Sequence, residues 1–288
     1  MKNKKFMKNI VLITGTSSGI GKATALYFAK QGWNVIATMR NPENETELTN
    51  EPNIFVTKLD VSDVQSILTA IQQGIEKFGK IDILVNNAGY GQIGLFEATT
   101  PKKIQAQFDT NVFGLMNVTR AILPHFRNKK SGTIINVTST LGIIPMPMSS
   151  IYTASKFAVE GFTEALAYEL YSQNIKVKII EPGGIDTSFS QRSRTEFAYN
   201  PELTDYNSFV EERSKQQYSY ENSFTPEQVA NTIFTAATDD SQQLRYIAGY
   251  DAEHLIGIRN KATTDQQYVD AIRNVFTPNG FKNDTELM

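Results

Sequence analysis

The chain contains no cysteine, which excludes disulfides and thiolate metal sites at once. Histidine is almost as scarce: His125 and His254 stand far apart in 288 residues, without neighbouring ligand types, so no metal site is expected. His125 lies near the end of a long helical segment and is expected to meet that helix's terminal carbonyls. No Gly-x-Ser-x-Gly elbow occurs, which removes the main signal of a serine hydrolase. Long hydrophobic runs are missing as well. None approaches the roughly 20 apolar residues that span a bilayer, and no membrane attachment is expected. An excess of one charge is also lacking, since 28 Lys and Arg stand against 30 Asp and Glu. Such a balance supplies no basic field for nucleic acid or an anionic surface. The opening "MKNKKFMKNIVLITG" is not read as a signal peptide, because its apolar run is short and leads straight into a glycine turn. A cytoplasmic protein is expected.

What is present is alternation. Short, continuously apolar runs rich in Val and Ile fall at 10–14, 34–38, 54–58, 81–86, 133–138 and 176–181, the pattern of strands covered on both faces. Helical patterns at 20–31, 64–78, 101–127 and 152–171 separate them. This order predicts an α/β fold, a Rossmann-type doubly wound parallel sheet flanked by helices. Thr100-Pro101 and Thr225-Pro226-Glu227-Gln228 each place a capping hydroxyl before a proline at the first helical position. One domain is expected over 1–288. Its parts are a core at 8–189, a polar but aromatic-rich substrate lid at 190–224, and a helix, last strand and polar tail over 225–288.

The first strand ends in "TGTSSGIG", residues 14–21, and a helix follows. Gly15, Gly19 and Gly21 permit a tight turn, and with Ser17, Ser18 and Ile20 they open a helix whose N–H groups and partial positive charge suit a pyrophosphate. The second strand ends in Met39-Arg40, with no carboxylate available to hold a ribose 2′-hydroxyl. A guanidinium would instead pair with a 2′-phosphate, so NADP(H) is preferred and NAD(H) is possible. Further along, "SSIYTASKFAVE" sets Tyr152 and Lys156 one helical turn apart on one face. A phenol titrates near roughly 10, and a neighbouring ammonium favours its phenolate, so this spacing suits a proton-transferring pair. A packing phenol beside a solvated ammonium gives the same spacing. Ser139, at the end of the fifth strand, stands at a crevice edge where its hydroxyl could steady a developing oxyanion.

Taken together, "TGxxxGxG", Asn86-Asn87-Ala88-Gly89 and the spacing S-x12-Y-x3-K resemble the short-chain dehydrogenase/reductase family, with landmarks in order from residue 14 to 187. The resemblance implies that Asp60 and Val61 border the adenine. It implies that Asn87, Ala88 and Gly89 support the sheet and the cofactor, and that Tyr152 and Lys156 also touch it. Asn111 would hold a water that relays protons from the lysine. Pro182, Gly183, Ile185 and Thr187 would contact the nicotinamide carboxamide.

The expectation is an NADP(H)-dependent oxidoreductase that interconverts a carbonyl and a secondary alcohol through Ser139, Tyr152, Lys156 and Asn111. Aromatic residues in the lid and Met146-Pro147-Met148 suggest a fairly apolar small-molecule substrate. The stretches "ATMR" and "TPEQVAN…LRYIAGYDA" look closest to members acting on steroids, retinoids or other lipophilic ketones, and a bacterial-type carbonyl reductase of broad tolerance fits equally well. Helices at 101–127 and 152–171 resemble those the family pairs in homodimers and homotetramers. The alternative is a dinucleotide-binding sensor or regulatory protein that keeps the fold without turnover.

Overall fold

The computed structural model describes residues 8–185, 187, 189, 193, 195, 197–215 and 223–276. Seven strands form one parallel sheet: β1 (Ile10–Thr14), β2 (Asn34–Met39), β3 (Ile54–Lys58), β4 (Ile83–Asn86), β5 (Gly132–Val137), β6 (Ile175–Pro182) and β7 (Arg245–Ala248). Their spatial order is β3-β2-β1-β4-β5-β6-β7. The chain therefore winds outward in one direction from β1 and in the other from β4, and a crevice opens between the carboxyl ends of those two neighbours.

Strand alternation divides the apolar residues between two layers. Val11, Ile13, Val35 and Ala37 pack with α1 (Gly19–Lys30) and the helix Pro226–Thr238. Ile10, Leu12 and Ile36 face α2 (Val64–Phe78) and the helices Leu115–Lys129 and Ser150–Leu170. Local chemistry sets the helix ends. Asp63 caps α2 by accepting the N–H groups of Gln65 and Ser66, and Gly79 ends it in the left-handed conformation, φ 87°. A full capping box joins Thr225 and Gln228.

The region expected as one helix from 101 is interrupted. Helix α3 (Pro101–Phe108) passes into a π-helical turn, Asp109–Gly114, before α4 (Leu115–Lys129) resumes the regular ladder. Helix α5 is Ser150–Leu170. Two features differ from expectation. His125 does not meet its own helix's carbonyls; its Nε2 accepts the Ile81 N–H at 3.0 Å and ties α4 to the lead-in of β4. The segment expected as polar tail contains helices. After α6 (Asn207–Lys215) and α7 (Pro226–Thr238) come α8 (Tyr250–Lys261) and α9 (Asp265–Phe276), whose Ile256, Tyr268 and Ile272 build a separate small core with Ile144. Burial of those side chains is what holds the helices in place. The expected lid and tail are described only in part, because 190–192, 194, 196, 216–222 and 277–288 lie outside the described residues.

Candidate active site

The glycine turn is built against the loop after β4. Gly15 takes φ 72°, and a Cβ there would lie 2.8 Å from the Ala88 Cα. A Cβ on Gly21 would overlap the Gly15 carbonyl oxygen and the Asn87 amide. That amide donates to the carbonyls of Thr14 and Gly15 at 3.0 and 3.1 Å, while Thr14 Oγ1 accepts the N–H groups of Asn87 and Ala88 at 3.0 and 3.1 Å. Thr16 fastens the turn to β2 through the Thr38 carbonyl. Ser18 stands in the capping position of α1 in extended backbone, but its side chain does not cap the helix, and no acid occupies the first turn. Ser17 is exposed beside it, and Ile20 packs against the core. The turn is thus a narrow backbone cradle at a helix N-terminus, a fit for a pyrophosphate.

The other expected cofactor residues follow the carboxyl ends of β2, β3 and β6. Thr187, after β6, faces Gly19, whose added Cβ would lie 3.5 Å from the Thr187 Cβ. Arg40 is exposed at the end of β2, and its charge helps hold the Asp60 carboxyl below its ordinary range, against the opposing effect of burial. Asp60 Oδ1 accepts the Ser62 hydroxyl at 2.6 Å, and Val61 packs against Gly114 in the π turn. Pro182 ends β6, Gly183 N–H donates to the Ala248 carbonyl at 3.0 Å, and Ile185 is buried. Sequence reasoning missed Asp251 here. At the start of α8 it accepts the Gly184 N–H at 2.7 Å and packs on Gly183, so it fixes the segment after β6 from outside the motif.

The strand asparagines do find partners. Asn86 donates to Asn136 Oδ1 and Thr119 Oγ1, both at 2.9 Å, and Asn136 donates to Thr163 at 2.8 Å. This buried polar chain crosses from α4 through β4 and β5 to α5 and helps fix their register, while Asn86 Oδ1 accepts no bond from the described residues.

Ser139, Tyr152 and Lys156 are brought together at the carboxyl end of β5. Ser139 Oγ accepts the Leu141 N–H at 3.2 Å, and its hydroxyl bears on the Tyr152 phenol. Lys156 Nζ lies 5.7 Å from the centre of the Tyr152 ring and donates to the Val137 carbonyl at 2.9 Å. Phe189, another residue not singled out from the sequence, places its ring 5.7 Å from Tyr152. Asn111, buried in the π turn, accepts the Tyr90 N–H at 3.1 Å, donates to the Tyr90 carbonyl at 2.9 Å, and reaches Ser155 Oγ at 3.4 Å. Gly89 lies against it.

One electrostatic expectation is overturned. Burial pushes the Tyr152 phenol up to about 12, and only the Ser139 hydroxyl opposes the rise. Lys156 is buried too, and its ammonium donates to the Val137 carbonyl. Burial pulls it down to about 8, opposed by the Glu160 carboxylate. The phenol therefore keeps its proton throughout the neutral range.

A nucleotide-sized cradle at the switch point, beside a serine, a tyrosine and a lysine on neighbouring elements, defines a Rossmann-type oxidoreductase. The comparisons give its family. Residues 9–197 match the short chain dehydrogenase family, and the chain belongs to the short-chain dehydrogenases/reductases. It is 41% identical to the 3-ketodihydrosphingosine reductase of Bacteroides thetaiotaomicron over 181 residues, 63% of this chain and 65% of that protein. A crystal structure of a short-chain dehydrogenase from Streptomyces avermitilis superposes with TM-score 0.74 at 32% identity, covering 91% of this chain and 98% of that one. The structure of ElxO with NADP bound superposes with TM-score 0.70 at 31% identity, covering 84% and 98%. Among the described residues no helix is long and apolar enough to cross a membrane.

Proposed function

We propose that the protein is an NADP(H)-dependent oxidoreductase that interconverts a carbonyl and a secondary alcohol on a fairly apolar small molecule. The observation that carries this reading is Lys156 Nζ, 5.7 Å from the centre of the Tyr152 ring and anchored to the Val137 carbonyl at the carboxyl end of a central strand, two residues before Ser139. When bound, the nicotinamide supplies or accepts the hydride. The chain's own residues do the rest. In reduction, Ser139 donates a hydrogen bond to the carbonyl oxygen as negative charge develops, and Tyr152 passes that oxygen its proton. Lys156 stabilises the phenolate left behind, and Asn111 stands where a water could return the proton to it. Gly15, Ser17, Ser18, Gly19, Ile20 and Gly21 hold the pyrophosphate. Asp60 and Val61 border the adenine, and Asn87, Ala88 and Gly89 line the path to the nicotinamide. Pro182, Gly183, Ile185 and Thr187 flank the carboxamide, and Arg40 meets the 2′-phosphate.

A largely apolar cavity of about 670 Å³ lies beside the start of α5, lined by Met146, Pro147, Phe157, Phe209, Ile272 and Phe276; Ser139, Tyr152 and Lys156 do not line it, so the apolar substrate rests on its sitting next to the Tyr152 helix. Phe189 and the described part of 197–215 form the substrate side of the proposed lid, within one domain. A relative that is a ketodihydrosphingosine reductase favours a long lipophilic ketone. Phe113 and Tyr168, exposed on the outer helices, would be covered in a homodimer or homotetramer.

The test is NADPH and NADH oxidation over ketones of graded chain length, with Tyr152→Phe as the control. Turnover by the wild-type protein should favour NADPH and longer ketones. Tyr152→Phe should lose about 10²–10⁴-fold in kcat while still binding NADPH. Undiminished turnover in that variant would refute the mechanism.

A further inference from the structure

Behind Lys156 lies a set of charged side chains that the mechanism above leaves idle. On α5, Lys156, Glu160 and Glu164 follow Tyr152 at four-residue intervals and share its face. Glu160 is 6% exposed and accepts the Thr138 hydroxyl at 2.6 Å, next to Ser139 in the chain. The turn after Ser139 closes over it, since a Cβ on Gly142 would lie 2.9 Å from the Glu160 Cγ. From β6 comes Glu181, 1% exposed. From β7 comes Arg245, whose Nε lies 3.3 Å from Glu160 Oε2 and 3.3 Å from Glu181 Oε1, while another guanidinium nitrogen lies 2.6 Å from Glu164 Oε2. Two buried carboxylates thus share one guanidinium, one helical turn beyond the lysine.

Packing alone does not call for such a group. Buried ion clusters replaced by apolar side chains of similar volume are often neutral or stabilising, whereas a charge left without its partner is costly. The cluster also has a specific neighbour: Glu160 follows Lys156 by one helical turn, and its carboxylate favours the buried ammonium. We propose that Glu160 and Glu181, tied together by Arg245, are positioning residues that hold Lys156 as an ammonium beside Tyr152 and so set the pH range of turnover. This deepens the proposed function and rests on it.

The groups that bear on the cluster come from each element packed against it. Lys156, Glu160 and Glu164 lie on α5, Glu181 on β6 and Arg245 on β7; β5 contributes the Thr138 hydroxyl and the Val137 carbonyl. Burial and the nearby Glu160 push Glu181 up to about 7, against the pull of Arg245. Burial also raises Glu160, opposed by Thr138, Arg245 and Lys156. Both carboxyls are thus held toward their neutral forms, and the pair meets the lysine with more negative charge as pH rises. That opposes loss of the ammonium on the alkaline side.

The experiment measures kcat from pH 5.5 to 10 with NADPH and a saturating ketone identified by the panel above, for wild type, Glu160→Gln, Glu181→Gln and Tyr152→Phe. In Glu160→Gln the alkaline limb should move to lower pH by about one pH unit. In Glu181→Gln it should move the same way by less. A loss that is uniform across pH, with the limb unmoved, would show a structural role and overturn the proposal. If Glu160→Gln does not fold, Glu181→Gln decides by the same criterion. Tyr152→Phe separates the two claims. Retained turnover there defeats the mechanism itself, whereas an inactive Tyr152→Phe beside unmoved limbs defeats only the role of the carboxylates.

Discussion

Gly21→Ala tests the glycine cradle without assuming any substrate. The new methyl would overlap the Gly15 carbonyl oxygen and the Asn87 amide, and would stand 2.9 Å from the Gly15 carbonyl carbon. These are backbone atoms and a side chain bonded on two sides, so they cannot step aside cheaply. Overpacking of this kind costs about 1–3 kcal/mol, and weakening the two Asn87 bonds adds about 1 kcal/mol. A total of about 2–4 kcal/mol should lower the melting temperature by about 5–10 °C. NADPH affinity should fall by about tenfold or more, because the displaced turn no longer aims its N–H groups at the pyrophosphate. Gly257→Ala is the matched control. It lies inside α8, where an added Cβ would meet nothing within 4 Å, and it should stabilise the chain by about 0.5–1 kcal/mol. Circular dichroism melting and NADPH fluorescence titration read both variants. A Gly21→Ala protein that melts within about 1 °C of wild type and binds NADPH normally would refute the packing argument.

Lys156→Met should stabilise the fold while it removes activity. The folded-state lysine is pulled down from 10.5 to about 8, so the unfolded chain binds more protons across that window and wild-type stability rises with pH there. The variant escapes a cost of about 3 kcal/mol below pH 8, less about 1 kcal/mol for the lost bond to Val137, and its advantage should fade toward pH 10.5. Denaturant unfolding at pH 7 and pH 10 checks this, and a difference that does not change with pH would contradict it. Arg40→Ala should raise the KM for NADPH by about tenfold and leave that for NADH nearly unchanged. Equal losses with both coenzymes would remove the arginine from the 2′-phosphate.

The sheet was legible because its strands are short, unbroken runs of Val and Ile, and two-sided burial demands that composition. Boundaries slipped by a residue or two where a glycine or proline, normally a strand breaker, sits at a strand end, as at Gly132 and Pro182. The nucleotide cradle was legible because its glycines are adjacent in sequence and each has a steric reason to be there. Helix α9 was overlooked although Tyr268, Ile272 and Val275 mark one helical face. Its polar remainder suggested a tail, and the small core it joins is completed by Ile144, more than a hundred residues earlier. The charged cluster behind Lys156 could not be read at all. Glu160, Glu181 and Arg245 come from three elements, and only the β6–β7 pairing brings the last two together. The phenol's acidity was misread for a related reason, since spacing reveals a neighbouring charge but not the depth at which both groups are buried.

The π turn at Asp109–Gly114 carries an implication for the chain's tolerance of length changes. A π-helical turn holds one residue more than the regular ladder requires. Deleting a residue there would let α3 and α4 fuse into an unbroken rod, with no obvious penalty in hydrogen bonding. Each residue in a helix accounts for about 100° of rotation, however, so everything on one side of the cut would swing round by that angle. Asn111 would turn away from Tyr90, and Val118, Ile122 and Phe126 would leave the sheet face they now cover. The surplus residue works as a phase adjuster between two helical faces that must look in different directions.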